Sequence, residues 1–366
     1  MSTTQKFLLV VILTTASLNF FLAYNKFVLN APLETQEITA PPEELFTPIP
    51  PPETQDESFD LVHAVASITK EELKEDTYHI ASDDFEGRST GQPGNTRAAE
   101  WIKAELEELG LETEYQRFST RSGSSNNIFG WIEGSDPNLK NEIVVIGGHM
   151  DHIGRDRSGQ ICNGADDNAS GTVAVLEIAE AFAMISDEMK RTVVFQFYSG
   201  EELGLVGSKH YCSNPTFPRD NPSMSKHVFM LNLDMIGTLG SGRHLVSFGG
   251  DDRSDDISKI ISELRGKYSC ARTVTSQGRG SGSDHASFAN KGVPVVFLHT
   301  GLHSRYHKST DDPDTLNYDG MEEITRYACE LAYQVVTMDS RPSVSVAFPK
   351  AVEPTLDHDI EPFLKD

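Results

Sequence analysis

Residues 142–171 constrain the fold of this chain more than any other part of its sequence. The first half of this stretch contains residues 143–146, a β-branched apolar run that two glycines follow, as is typical of a buried strand in a mostly parallel sheet. Directly afterwards come His149 and Asp151, whose side chains are of types that bind metal ions. Because open α/β sheets bind ligands at the carboxyl edge of their strands, the stretch predicts a metal site at that edge.

The second half of the stretch predicts a tight acidic loop and then a helix. The loop contains Asp166 and Asp167 between glycines, and Asn168 and Ser170 are further residues that can cap a helix. Apolar side chains then recur at helical spacing over residues 173–182. A strand, a His-x-Asp pair, an acidic loop and a helix thus follow one another and together form a candidate metal site.

Strands and helices alternate through the rest of the chain. Strand-like runs cover residues 111–118, 127–132, 191–198, 227–233 and 293–298, and helical patterns cover residues 70–78, 96–109 and 319–338. Three glycines and a proline mark a loop at residues 83–95. We see no internal repeat in the sequence. This alternation predicts the α/β class, with a three-layer sandwich in which helices flank a central, mostly parallel mixed β-sheet.

Composition divides the chain into four segments. Residues 1–24 contain an apolar stretch after Lys6, which predicts either a cleaved signal peptide or a retained N-terminal membrane anchor. Residues 25–60 are rich in proline and glutamate and predict a disordered linker, whereas residues 61–340 are expected to form the folded domain and residues 341–366 an acidic, proline-containing tail. We therefore expect an exported protein, periplasmic or extracellular, whose N-terminal segment contacts the membrane if it is retained.

The overall charge of the chain limits its partners. Among its 366 residues, 31 lysines and arginines face 55 aspartates and glutamates, and the net charge is −24. This balance argues against nucleic acid and anionic membrane surfaces as partners, since both are also negatively charged. The four cysteines form no Cys-x-x-Cys pair, and one or two disulfides remain open in an oxidising compartment.

Side chains of metal-binding types follow four of the predicted strands. They are His149 with Asp151, Glu201 with Glu202, Asp234, and the three histidines His299, His303 and His307. Histidine and carboxylate ligands without a thiolate favour zinc or a similar divalent ion in a catalytic site. In the Glu-Glu pair, one carboxylate would bind metal while its neighbour takes a proton from a water molecule. The excess of carboxylates over histidines suits two metals that share one carboxylate.

Five motifs resemble those of the di-zinc M28 peptidases, a family that includes bacterial leucyl aminopeptidases. They follow the order of the family over about residues 61–338, and are Gly-Gly-His149-Met-Asp151, Gly-Ala-Asp-Asp167-Asn-Ala-Ser-Gly171, Ser-Gly-Glu201-Glu202-Leu-Gly, Asn-Leu-Asp234-Met-Ile-Gly and Tyr306-His307-Lys-Ser-Thr-Asp-Asp. The resemblance implies a zinc-exopeptidase fold and two Zn²⁺ ions per chain.

The resemblance also implies a role for each matching residue. The residues that match metal ligands are His149, Asp167, Glu202, Asp234 and His307, with Asp167 as the bridging carboxylate. Glu201 matches the general base, and Asp151 matches an aspartate that orients the imidazole of His149. Tyr306 matches a tyrosine that helps to hold the developing oxyanion in some members of the family.

Several neighbouring residues receive no direct role from the resemblance. His152 occupies a position that varies in the family, His303 is expected close to the site, and contact with substrate stays open for both. Asp166 is expected to cap the following helix. The segment Ser283-Asp284-His285 resembles a recurring family segment and is expected to serve as scaffold.

The resemblance implies an exported zinc-dependent aminopeptidase that acts on the N-termini of peptides or proteins. It would hydrolyse the first peptide bond with metal-activated water and with Glu201 as the general base. The alternatives are a carboxypeptidase or a glutaminyl cyclase of the same superfamily, and a non-catalytic binding ectodomain. Arg155, Arg157 and Arg305 keep the carboxypeptidase open, because such an enzyme needs a cation for the substrate carboxylate. The intact ligand set argues against both the cyclase and the ectodomain.

Overall fold

The computed structural model describes residues 60–121, 123–240, 246–248, 254–273, 275–276 and 282–344. Residues 1–24, nearly all of residues 25–60 and most of the predicted tail lie outside these ranges. The division of the chain into a catalytic domain and flanking segments therefore stays a prediction. Within the described ranges, no helix combines the length and the apolar character that crossing a bilayer requires.

Eight strands and eight α-helices occur in the described part of the chain. The strands are β1 (Glu112–Thr120), β2 (Gly123–Ile132), β3 (Ile143–His149), β4 (Thr192–Tyr198), β5 (His227–Leu233), β6 (Val246–Phe248), β7 (Thr275–Ser276) and β8 (Val295–His299). The helices are α1 (Leu61–Ser67), α2 (Lys70–Ile80), α3 (Pro93–Glu108), α4 (Gly171–Met184), α5 (Val206–Ser213), α6 (Asp255–Leu264), α7 (His285–Ala289) and α8 (Tyr318–Thr337).

The strands form one mixed sheet in the order β1-β2-β4-β3-β5-β8-β6-β7. Its centre is parallel, because β3 pairs with β4 and with β5, and β5 pairs with β8, all in the parallel sense. The hairpin of β1 and β2 joins β4 in the antiparallel sense, and β6 runs antiparallel to β8 at the other side. The predicted mixed, mostly parallel sheet is therefore confirmed.

Helices cover both faces of this sheet. In β3, Val144 and Ile146 belong to a large apolar cluster that includes residues of α1, α2, α3, α4, α6 and α8. The alternating residues Ile143 and Val145 belong to a second cluster, which includes Tyr211 of α5. Every residue of β3 is buried, as expected for a parallel strand that is covered on both faces. The predicted three-layer architecture is confirmed.

Two element boundaries near the site differ from the sequence prediction. Strand β3 continues to His149, so this residue ends the strand instead of following it. Helix α3 begins at Pro93, three residues before the predicted start, because proline is well tolerated in the first turn of a helix. The loop predicted for residues 83–95 is correspondingly shorter, and it opens with the 3₁₀ turn Asp83–Arg88.

All four cysteines lie in the described part of the chain. They are Cys162, Cys212, Cys270 and Cys329, and each is a buried free thiol. The disulfides that the composition left open do not form between these residues in the structure. Burial raises the pKa of the Cys212 and Cys329 thiols, which keeps both protonated at neutral pH.

Helix α4 carries a buried carboxyl group on its apolar side. Glu177 is 5% exposed, and burial raises its pKa from 4.5 to about 9, with further contributions from Glu72, Glu180 and Asp76. The folded-state pKa thus lies above the unfolded value. The stability linked to this proton is complete below pH 4.5 and is lost as the pH rises through about 9.

We expect Glu177→Gln to be more stable than the wild type at pH 7 and above. The amide stays neutral, so the variant avoids a loss of up to about 1.4 kcal/mol per pH unit in the free energy of unfolding. Urea unfolding of both proteins between pH 5 and pH 9 measures the difference. Glu75→Gln on α2 is the control, since Glu75 is exposed. Parallel stability curves for the wild type and Glu177→Gln would contradict the prediction.

Candidate metal centre

The carboxyl edge of the parallel strands brings the five predicted ligands together. His149 is the last residue of β3, Glu202 follows β4, and Asp234 follows β5 directly. Asp167 lies in the turn before α4, and His307 lies in the loop after β8. Residues from five separate segments therefore meet at one edge, as the sequence predicted.

Three of these residues form a first buried group. The Nε2 atom of His149 lies 3.5 Å from Oδ1 of Asp167 and 3.4 Å from Oδ1 of Asp234. All three residues are less than a tenth exposed. Two ligand atoms of a tetrahedral zinc ion lie about 3.3 Å apart, so these separations fit a shared ion. The group meets the geometric requirements for holding a metal.

A second group uses the other oxygen of Asp167. The Nε2 atom of His307 lies 3.2 Å from Oδ2 of Asp167 and 3.0 Å from Oε2 of Glu202. Oδ2 of Asp167 and Nε2 of His307 are both buried, and neither makes a hydrogen bond. Buried polar atoms normally have partners, so these two atoms fit a cation between them. Asp167 offers one oxygen to each group and is placed to bridge two ions.

The adjacent carboxyls of Glu201 and Glu202 have opposite proton affinities. Burial raises the pKa of Glu201 well above its usual range, and the nearby carboxylate of Asp284 adds to the rise. Burial acts in the same direction on Glu202, but the imidazoles of His152 and His307, each 3.0 Å from one of its oxygens, outweigh it and lower the pKa of Glu202 far below its usual value. Such a divergence suits one proton acceptor beside one permanently ionised group.

Asp151 links the ring of His149 to the Glu201 segment. Nδ1 of His149 lies 3.1 Å from the backbone oxygen of Asp151 and 3.8 Å from its Oδ1. The Asp151 carboxylate accepts hydrogen bonds from the hydroxyl of Thr90 at 2.7 Å and from the backbone N–H of Glu201 at 3.1 Å. The nearest acceptor for the ring is thus the main chain of Asp151, while its side chain holds the Glu201 backbone.

Tyr306 lies directly against the second group. Its ring stacks on the ring of His307, with centroids 3.8 Å apart and an interplanar angle of 22°. The residue is half-buried, and burial raises the pKa of its hydroxyl above the usual value. A neutral Tyr306 therefore keeps its hydroxyl proton at neutral pH and can donate it in a hydrogen bond.

His152 lies at the centre of the site, although sequence reasoning gave it no role. Its Nδ1 atom is 3.0 Å from Oε1 of Glu202 and 3.6 Å from Oδ2 of Asp167, and the residue is 1% exposed. These three residues also meet the geometric requirements for holding a metal. The position of His152 beside Asp151 in the first motif placed it near the strand edge, but did not indicate which side chain it faces.

Asp166 contributes to a hydrogen-bond network instead of capping helix α4. Its carboxylate lies 2.9 Å from Nε2 of His303 and accepts the backbone N–H of Gly237 at 2.7 Å. The N-cap residue of α4 is Ser170, which makes no side-chain capping bond, and the first backbone N–H of the helix, that of Gly171, donates to Oδ1 of Asn168 at 2.9 Å. The expectation that Asp166 caps the helix is therefore wrong, because a buried histidine competes for its carboxylate.

Two residues without a predicted role hold the backbone of the acidic turn. The carboxylate of Asp311 accepts the backbone N–H groups of Asp166 and Asp167, each at 3.1 Å. The buried guanidinium of Arg88 donates to the backbone oxygen of Gly164 at 2.8 Å. Asp311 stood inside the last motif, but Arg88 belonged to a glycine-marked loop whose sequence gave no sign of burial.

Comparison with known proteins identifies the family. The model of peptidase family M28 matches residues 127–332, which is more than half of the chain. The chain belongs to peptidase family M28. Its relatives include leupeptin-inactivating enzyme 1 of Streptomyces exfoliatus, which is 30% identical over 223 residues. That match covers 61% of this M28 peptidase and 46% of the relative.

Longer matches connect this M28 peptidase to aminopeptidases. Probable leucine aminopeptidase 1 of Trichophyton verrucosum is 28% identical over 299 residues, which cover 75% of the chain and 77% of the relative. The crystal structure of BSAP, a zinc aminopeptidase from Bacillus subtilis, shares the fold with a TM-score of 0.63 at 15% identity, covering 75% and 97% of the two chains. The protein is thus an aminopeptidase-like M28 enzyme, and the predicted family and fold are confirmed.

Proposed function

We propose that this enzyme is a zinc aminopeptidase that binds two Zn²⁺ ions and releases the N-terminal residue of peptides. The observation that carries the proposal is the position of Asp167, whose Oδ1 lies 3.5 Å from Nε2 of His149 and whose Oδ2 lies 3.2 Å from Nε2 of His307. The relatives named leucine aminopeptidases support the same activity. An excess of carboxylates at the site would also attract the protonated α-amino group of a substrate.

The ligand set divides between two ions. His149, Asp167 and Asp234 would hold one ion, and Asp167, Glu202 and His307 would hold the other. When bound, the ions supply Lewis acidity towards the peptide carbonyl and lower the pKa of a water molecule. Three protein ligands per ion leave a position for water or substrate, as catalytic zinc sites require.

The remaining residues of the site move or hold protons. Glu201 takes a proton from the attacking water and returns it to the leaving amine, in keeping with its raised pKa. The hydroxyl of Tyr306 donates a hydrogen bond to the oxyanion as it develops. Asp151 holds both neighbouring segments in place. Its backbone oxygen contacts the ring of His149, and its carboxylate accepts the backbone N–H of Glu201.

The carboxypeptidase alternative requires a cation that receives the substrate carboxylate. Arg155 and Arg157 are exposed, and Arg155 donates to the backbone oxygen of Gly159 at 3.1 Å. Arg305 is half-buried, and its guanidinium reaches the backbone oxygen of Thr315 at 3.5 Å. The guanidinium contacts of Arg155 and Arg305 are with backbone oxygens and favour neither side chain as a receptor, so the aminopeptidase is the function that the geometry supports best.

A set of matched peptides tests the proposed activity. We expect the purified enzyme to release leucine from a Leu-Gly-Gly peptide with a free N-terminus, and to lose this activity with a zinc chelator and regain it with Zn²⁺. Acetylating the N-terminus should abolish release, because the α-amino group is then absent, whereas amidating the C-terminus should have little effect. Cleavage of the acetylated peptide, or loss of cleavage on amidation, would contradict an aminopeptidase and favour a carboxypeptidase.

We also propose that the enzyme is exported to the periplasm or the extracellular space. The apolar stretch in residues 1–24 and the proline- and glutamate-rich residues 25–60 support this location. N-terminal sequencing of the mature protein from separated cell fractions distinguishes a cleaved signal from a retained anchor, and an intact N-terminus in the cytosol would contradict export.

A further inference from the structure

The ring of His152 is fixed in place by its surroundings. Its backbone N–H donates to the backbone oxygen of Arg88 at 3.3 Å, which ties the residue to the neighbouring loop. The ring packs directly against Gly164, where a Cβ atom would lie only 2.5 Å from its Cγ. Because the residue is 1% exposed and closely packed, its ring has little freedom to turn.

The two oxygens of Glu202 have different histidine partners. Oε1 lies 3.0 Å from Nδ1 of His152, whereas Oε2 lies 3.0 Å from Nε2 of His307. The terminal torsion of a glutamate is broad, so a free carboxylate could turn and exchange its oxygens. A donor that is fixed on Oε1 prevents this exchange and keeps Oε2 towards His307.

We propose that His152 is a positioning residue for the second metal. Its Nδ1–H donates to Oε1 of Glu202 and thereby holds Oε2 towards the position shared with Asp167 and His307. This inference rests on the proposed function, because it assigns a role relative to the proposed zinc site.

Direct ligation by His152 fits the site less well. Asp167, Glu202 and His307 already provide three protein ligands, which is the number that catalytic zinc sites use. A fourth protein ligand would close the coordination sphere, as in structural zinc sites, and leave no position for water. The nearest partner of His152 is moreover Oε1, the Glu202 oxygen on the side away from His307. These observations favour a hydrogen-bond donor over a ligand.

Substitutions at position 152 separate these two roles. His152→Leu removes the hydrogen-bond donor but keeps most of the buried volume, and His152→Ala removes both the donor and the volume. If one of these donor-free variants does not fold, the other still provides the test. His152→Asn restores an amide N–H close to the place of Nδ1, but an amide nitrogen is a poor zinc ligand. His210→Ala on α5 is the control, since that histidine contacts Phe118 with its ring centroid 5.7 Å away.

The readout is metal binding by the full chain, independent of activity. Metal-free protein is titrated with Zn²⁺ in competition with a chromophoric chelator, and Co²⁺ absorption reports the coordination of each site. We expect the donor-free variants to weaken the second binding step by about 10- to 100-fold, as is usual when a partner of a ligand is lost, while the first step is unchanged. His152→Asn should stay within about threefold of the wild type, and His210→Ala should match it.

The binding results distinguish a hydrogen-bond donor at position 152 from a metal ligand. An Asn variant as weak as the Leu or Ala variants, with altered Co²⁺ absorption, would identify His152 as a ligand and overturn the inference. Unchanged binding in all variants would also overturn it, because Glu202 would then need no fixed donor. A wild-type protein that takes up no second metal would instead contradict the proposed function itself.

Discussion

Replacing Glu201 with glutamine is expected to lower kcat by about 10²- to 10⁴-fold, the usual contribution of a general base. Glutamine has nearly the same shape as glutamate, and the backbone of residue 201 stays tied to Asp151 through its N–H. The fold and both metal sites should therefore be retained. The variant loses only the carboxylate that accepts the proton from the attacking water.

The measurement pairs activity with metal content. Steady-state rates on Leu-Gly-Gly are compared with zinc stoichiometry by elemental analysis for the wild type, Glu201→Gln and Glu202→Gln. Glu202→Gln is the matched control at the neighbouring position. We expect this variant to bind less zinc, whereas Glu201→Gln should keep its full zinc content. If the fully metal-loaded Glu201→Gln variant kept more than about a tenth of the wild-type kcat, this result would contradict the assignment of Glu201 as the general base.

The proposed ligands could be grouped from the sequence because sheet geometry brings them together. His149 ends a strand of the parallel centre, and Asp234 and Glu202 follow two others within four residues, while adjacent parallel strands share one carboxyl edge. The positions of the strand-like runs in the sequence therefore predict which residues meet at this edge. The same argument placed the histidines after β8 near the site, and the resemblance selected His307 among them.

The supporting contacts were not predictable by the same reasoning. Asp166 and His303 are 137 positions apart, and both lie in loops, where no periodicity indicates which side chains face each other. His152 is one residue beyond Asp151, yet the direction of its ring depends on contacts with residues distant in sequence, Gly164 and Glu202. Such contacts depend on how loops pack on one another, and this packing leaves no repeating signal in one sequence.

Arg88 is the clearest case, since an arginine in a loop is normally exposed. Here it is 0% exposed, and its guanidinium donates to four backbone oxygens. The acceptors and distances are Met150 (2.8 Å), Ile80 (3.0 Å), Asn163 (2.7 Å) and Gly164 (2.8 Å). Burial lowers its pKa from 12.5 to about 10, so the side chain keeps its charge at neutral pH. One cation thus joins the segments that carry His149 and Asp167.

We expect Arg88→Met to lower the free energy of unfolding by about 3–5 kcal/mol, because each buried carbonyl that loses its only donor costs about 1–3 kcal/mol. Methionine approximates the length of the side chain but removes a donor from four buried carbonyls. The oxygen of Gly164 keeps a second donor, the backbone N–H of Ala169 at 3.1 Å. Arg88→Lys should recover only part of the loss, because a single ammonium cannot reach all four acceptors. Urea unfolding of the zinc-loaded proteins measures these effects.

Arg97→Met provides the control for charge and size. Arg97 lies on α3 in an ion pair of 2.6 Å with Glu86, and both side chains are more than 40% exposed. We therefore expect a change below about 1 kcal/mol. Equal effects at positions 88 and 97 would show that the four carbonyl contacts add nothing to stability. A large loss in the free energy of unfolding at position 88 alone, together with weaker zinc binding, would show that the metal centre depends on the guanidinium of Arg88 as well as on its own ligands.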